Sequence, residues 1–189
     1  MDKQSLLSLL EESPIVAAVK DEEGLDACIR SECKVVFILY GSVLNIGEIV
    51  HKVKENGRTA LVHLDLIEGL SPKETAVDFI AQKTEADGLI STKLPIIRYA
   101  KTRGLITVQR FFLLDSMALS TIGRQIGQSA PDMIEVLPGC LPKIIRKIRA
   151  MCDVPLIAGG LIQDKEDIMN ALDAGATGIS ATRSEIWSM

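Results

Sequence analysis

The sequence predicts an α/β protein in which eight parallel strands close into a compact (β/α)8 TIM-like barrel, with the eighth helix short or missing. Three observations predict it. Apolar runs alternate along the 189 residues with amphipathic, helix-patterned stretches. Val, Ile, Leu and Ala dominate while aromatics are only 4%, which suits parallel strands buried on both faces. Two late runs, Pro155–Ile162 and Gly175–Thr182, break into small residues. In such barrels the loops after strands 7 and 8 often hold a phosphate.

The elements follow in order. A short amphipathic segment after Met1 lacks the apolar core of a signal peptide. The strand candidates are Pro14–Val19, Val35–Tyr40, Thr59–Asp65, Gly88–Lys93, Leu105–Phe111, Met133–Leu137, Pro155–Ala158 and Gly178–Ala181. Helix candidates lie between them at Glu22–Ser31, Ile46–Asn56, Pro72–Thr84, Pro95–Thr102, Ser116–Gly127, Leu141–Met151 and Lys165–Ala174. Asn56-Gly57 and Ala174-Gly175 read as helix C-terminal caps. Ser71-Pro72-Lys73-Glu74 reads as a serine N-cap, a first-position proline and a glutamate favoured by the helix dipole.

Strands alternating with helices imply right-handed crossovers and a parallel sheet, either open or closed. An open doubly wound sheet would favour GxGxxG after the first strand, and none is there; the late glycine pairs favour the barrel. The chain is short for a barrel, which typically has ~250 residues, so residues 1–189 are expected to form one domain with tight loops. Only Thr182–Met189 follows the last strand. The gap left in the helical ring would expose apolar surface, which a homodimer could cover.

The formal net charge of −4 gives no global attraction to nucleic acid, so any RNA contact needs a local basic patch. Cys28, Cys33, Cys140 and Cys152 form no CxxC pair and read as thiols in a reducing cytosol; no metal site is expected. No run approaches the ~18 apolar residues of a membrane span, so the expected location is cytoplasmic. Met169, Phe79 and Trp187 read as packing residues.

In a barrel, function sits at the C-terminal ends of the strands. Those ends carry His63, Asp65 and Glu68; Ser91 and Lys93; Gln109 and Arg110; and Glu135. His63 and Asp65 share strand parity, as do Ser91 and Lys93. They could form a paired structural network, such as Lys93 with Asp65 or Glu135. They could also serve an aldolase, isomerase or phosphate-ester hydrolase, with Lys93 as Schiff base or Asp65 and Glu135 as acid and base. Lys143, Arg146, Lys147 and Arg149 crowd one helix. That helix is either a solvated outer helix or a patch for RNA phosphates.

Several segments together resemble the glycerol-3-phosphate-responsive antiterminators of bacterial glycerol uptake operons. They are His63–Leu70, Gly88–Lys93, Gln109–Ser116, Ile134–Gly139 and the glycine-rich region running through Ser180-Ala181-Thr182 to Trp187. The resemblance implies a catalytically silent barrel with no cofactor, whose regulatory ligand is sn-glycerol 3-phosphate. It implies action on leader mRNA that lets transcription of glycerol-utilisation genes pass a terminator. Carried onto this chain, the phosphate would lie against Gly159, Gly160, Ser180, Ala181 and Thr182. The strand-end argument assigns the polyol hydroxyls to Asp65, Lys93, Gln109 or Glu135, with Arg110 holding the carboxylates. Lys143, Arg146 and Lys147 are the RNA-contact candidates.

Overall fold

Alternation decides which way each strand side chain points, and the apolar runs here are apolar on both faces. The computed structural model describes residues 1–189. Its strands are β1 (Ile15–Val19), β2 (Val35–Ile38), β3 (Thr59–His63), β4 (Gly88–Ser91), β5 (Ile106–Phe112), β6 (Met133–Leu137), β7 (Leu156–Gly159) and β8 (Gly178–Ala181). Each pairs in parallel with the next, and β8 pairs with β1, so the sheet is a closed (β/α)8 barrel. One apolar set, including Val16, Phe37, Leu61, Ile90, Val108 and Ile157, fills the barrel interior. A second, larger set packs the outer strand faces against the helices.

The helices are α1 (Lys3–Glu12), α2 (Glu22–Arg30), α3 (Ile46–Glu55), α4 (Glu74–Lys83), α5 (Leu94–Thr102), α6 (Ser116–Ser129), α7 (Pro142–Arg149) and α8 (Lys165–Asp173). α1 precedes the first strand, and its Leu6 and Leu10 belong to the interior cluster. Burying each of these side chains stabilises the fold by about 1.5–3 kcal/mol. Asp2, Asp21, Asp115 and Asp164 cap the N-termini of α1, α2, α6 and α8 through their carboxylates. The Ser71 cap expected for α4 is corrected: that helix begins at Glu74 after Lys73, with no side-chain cap.

A 3-10 turn, Ser184–Ser188, stands where the eighth helix would lie. It buries Ile186 and Trp187 beside β1 and β8. The Trp187 Nε1–H donates to the Ala181 carbonyl at 2.8 Å. Much of the expected gap in the helical ring is thereby filled by the chain itself.

Two strand ends differ from the sequence reading, and both bear on the site. β3 stops at His63 because Leu64–Leu66 turn into a 3-10 segment. β4 stops at Ser91, and Lys93 already precedes the first residue of α5. Shared parity therefore does not extend to Asp65 or to Lys93.

Candidate functional site

Inward positions near the C-terminal ends of the last four strands are Arg110, Glu135, Gly159 and Ser180. Arg110 is the register partner of Glu135, and Gly159 that of Ser180. The Arg110 Nε–H donates to Glu135 Oε2 at 2.5 Å, and the Ser180 hydroxyl donates to Glu135 Oε1 at 2.6 Å. Arg110 and Glu135 are 7% and 1% exposed. A charge so deep needs a partner, and each supplies the other's.

Gly159 explains how β6 and β8 can reach each other across β7. A Cβ at this position would run into the Ser180 hydroxyl and come within 2.8 Å of Glu135 Oε1. Glycine at 159 thus makes room for side chains from the two neighbouring strands. At Gly160 the backbone itself requires glycine, with φ +74°. Leu161 follows at φ +59° while 66% exposed, a conformation that costs a side-chain-bearing residue of order 1–2 kcal/mol. Such strain concentrates where a ligand is held.

A cavity of about 270 Å³ opens over this layer, bordered by Arg110, Glu135, Gly160, Ser180, Thr182 and Arg183. Its donors are available. Arg110 Nη1 and Nη2 make no hydrogen bond within the protein. The backbone N–H groups of Gly160, Leu161, Thr182 and Arg183 reach no backbone carbonyl. The Glu135 carboxylate is engaged on both oxygens, and the Arg183 guanidinium at the rim pairs with Glu185 at 3.6 Å. Clustered free N–H groups beside arginine are the chemistry of an anion site.

His63 also points inward, 2% exposed, and its Nδ1 has no partner. Burial first, and then the nearby Arg110 charge, push its pKa down to about 4. The imidazole is therefore neutral near pH 7 and adds no cation to the cavity.

The structure does not gather the four expected polyol residues. Glu135 borders the cavity. Asp65 sits in the 3-10 segment and accepts from the Ser91 hydroxyl at 2.7 Å and from the Thr92 N–H and hydroxyl, each at 2.8 Å. Burial raises its pKa, but these hydrogen bonds outweigh burial and hold the carboxyl below its usual range. Asp65 thus ties down the start of the β4–α5 connection. Lys93 is exposed outside the cavity and forms no ion pair, so the expected Lys93–carboxylate network is corrected to Arg110–Glu135. Gln109 is corrected more strongly. With Arg110 inward, Gln109 faces outward, buried under α6, where its Oε1 accepts from Ser129.

Of the five expected phosphate residues, Gly160, Ser180, Ala181 and Thr182 line the cavity, and Gly159 lies beneath it. Arg183 and the N–H of Leu161 were missed. Position in the sequence was the available signal, since both flank residues already in the cradle. The RNA candidates Lys143, Arg146 and Lys147 are exposed on α7, whereas Arg149 turns back to donate to the Val154 carbonyl at 2.8 Å.

No helix is long and apolar enough to cross a membrane, and no three His, Cys, Asp or Glu side chains are grouped to hold a metal.

Comparison with known proteins bears on this cavity. A family model described as glycerol-3-phosphate responsive antiterminator matches residues 15–187. The chain is 44% identical over 184 residues to YgcP, an uncharacterized protein of Escherichia coli, covering 97% of this chain and 96% of that protein. The crystal structure of the glycerol uptake operon antiterminator regulatory protein of Listeria monocytogenes matches with TM-score 0.90 at 28% identity, covering 93% of this chain and 95% of that one. A glycerol uptake operon antiterminator-related protein of Thermotoga maritima matches with TM-score 0.83 at 34% identity, covering 93% and 98% of the two chains.

Proposed function

This chain belongs to the glycerol-3-phosphate responsive antiterminator family, and from that premise we propose that it senses sn-glycerol 3-phosphate in the barrel mouth and acts on leader mRNA. The observation that carries the ligand half is the set of unpaired donors around one cavity: the two Arg110 Nη groups and the N–H groups of Gly160, Leu161, Thr182 and Arg183. A phosphate takes those donors. The glycerol hydroxyls reach Glu135, whose oxygens each keep a lone pair, and the Thr182 hydroxyl.

The same geometry supports a sensor over an enzyme. Acid–base catalysis by Asp65 and Glu135 needs both carboxylates at the cavity, and only Glu135 borders it. Glu135 is held by Arg110 and Ser180, Asp65 by Ser91 and Thr92, and Lys93 lies outside.

The RNA half rests on α7. The Gly139 N–H donates to the carbonyls of Gly159 at 2.6 Å and Gly160 at 3.1 Å, so the segment leading into α7 is hydrogen-bonded to the cradle. If the occupied cradle favours RNA, RNA must favour the ligand by the same factor.

The test is calorimetry. Glycerol 3-phosphate binds and glycerol binds little; Gly160→Asp abolishes binding by placing a carboxylate in the cradle. Position 160 also strains any side chain, with φ +74° and a Cβ 3.2 Å from Leu137, so Gly160→Ala is the control that carries the strain without the charge. Lys93→Ala and Gln109→Met keep wild-type affinity. Normal binding by Gly160→Asp removes the phosphate assignment, and turnover of a phosphorylated substrate lost in Lys93→Ala replaces the sensor with an enzyme.

A further inference from the structure

The outer helices divide by charge. Helices α5, α6 and α7 contain seven Lys or Arg and no Asp or Glu. Each of α2, α3, α4 and α8 carries two or three carboxylates. The three carboxylate-free helices are neighbours, α5 packing on α6 and α6 on α7. Within a chain of net charge −4, this is a confined electropositive face on an otherwise acidic molecule.

Folding accounts for only some of these cations. Lys101 pairs with Asp132 at 3.2 Å, and Arg149 donates to the Val154 carbonyl. Arg98, Arg124, Lys143, Arg146 and Lys147 are exposed and have no ion pair. The helix dipole favours Arg146 and Lys147 in the last turn of α7 but disfavours Lys143 in its first. Lys143, Arg146 and Lys147 lie at i, i+3 and i+4, where like charges repel and slightly destabilise the helix. The apolar side chains of α7 pack inward, Ile145 and Ile148 buried and Ile144 half-buried against the core, so the helix offers no greasy face for a membrane surface.

We propose that the outer face of α5, α6 and α7 docks the sugar-phosphate backbone of RNA. This rests on the reading that the chain acts on RNA, and it adds where that RNA lies. Neighbouring helix axes are ~8–10 Å apart, so three helices present a cationic band long enough for several consecutive phosphates. The band carries no sequence information; it supplies affinity and register, and it releases counterions on binding.

The probe is a labelled, mixed-sequence single-stranded RNA, titrated by fluorescence anisotropy across a salt series with glycerol 3-phosphate present. Five phosphate contacts give a log–log salt slope of about −3.5. The triple variant K143E/R146E/K147E weakens binding at least tenfold and makes the slope shallower by about 2, at about 0.7 per lost contact. R98E/R124E, on the other two helices, weakens binding independently. K83E, on the acidic side, leaves it unchanged. The melting midpoint and glycerol 3-phosphate affinity measured without RNA show that each variant is folded. Wild-type protein that binds RNA while both charge reversals bind equally well overturns this face and leaves the RNA reading standing. K83E weakening binding as much as the triple variant also overturns it. Wild-type protein that ignores RNA with and without glycerol 3-phosphate, or that captures only acidic protein or anionic vesicles, removes the RNA reading and this face with it.

Discussion

Replacing Arg110 separates what holds the barrel together from what holds its ligand. Arg110 and Glu135 are 7% and 1% exposed and joined by a 2.5 Å hydrogen bond. Arg110→Met leaves the Glu135 carboxylate buried with only the Ser180 hydroxyl, and such an orphaned charge costs about 3–5 kcal/mol. In a chain of this size that lowers the melting temperature by on the order of 10 °C. Arg110→Met/Glu135→Met removes both charges with side chains that fit an apolar interior, and such replacements are often neutral or stabilising. Stability therefore returns in the double variant, but ligand binding does not. Two charge-assisted hydrogen bonds to a phosphate contribute about 1.5–3 kcal/mol each, so affinity falls at least a hundredfold, at about 1.4 kcal/mol per tenfold. Urea denaturation reads the first effect and calorimetry with glycerol 3-phosphate the second. A double variant that binds within a few-fold of wild type would show that the Arg110 Nη groups are not ligand donors. A single variant within about 1 kcal/mol of wild type would show that the pair is not energetically buried.

Two further outcomes follow from neighbouring residues. Gly159→Ala places a methyl against the Ser180 hydroxyl and Glu135; it destabilises by about 1–3 kcal/mol through overpacking and weakens glycerol 3-phosphate binding, and wild-type values for both in denaturation and calorimetry would refute the crossing described for β7. The depressed His63 pKa of about 4 means that this residue's contribution is intact above its unfolded value and is lost as pH falls toward 4, at about 1.4 kcal/mol per pH unit below ~6.5. Urea midpoints at neutral and acidic pH for wild type and His63→Gln test this: the variant loses less stability on acidification, and parallel losses contradict the assignment.

The fold was legible because its evidence is repetitive. Each apolar run is short, bounded by polar or glycine punctuation and followed by a helical pattern, so an error at one boundary leaves the others intact. All eight strand regions and seven intervening helices lie where the pattern put them. The plug formed by α1 was less visible. An amphipathic segment before the first strand can lie on any surface, and only the closed sheet leaves an open end for Leu6 and Leu10 to fill.

The site was legible where backbone dictates it and obscure where parity does. Gly160 and the small residues after β8 mark the cradle because a close approach to the backbone excludes larger side chains. Choosing between Gln109 and Arg110 required knowing which face of β5 looks inward. Both faces of that strand are buried, with Ile106 and Val108 on one and Thr107 and Phe111 flanking Gln109 on the other, so burial could not decide. Charge decides instead, in line with the expectation that Arg110 holds the carboxylates. Glu135 on β6 lies directly beside position 110 of β5, and a buried carboxylate requires a cation at hydrogen-bonding distance. Lys93 could not serve, because the chain leaves β4 two residues before reaching it. Once Arg110 is fixed inward by Glu135, Gln109 is fixed outward by alternation, and the small residue required at 159 follows from the space that Glu135 and Ser180 share.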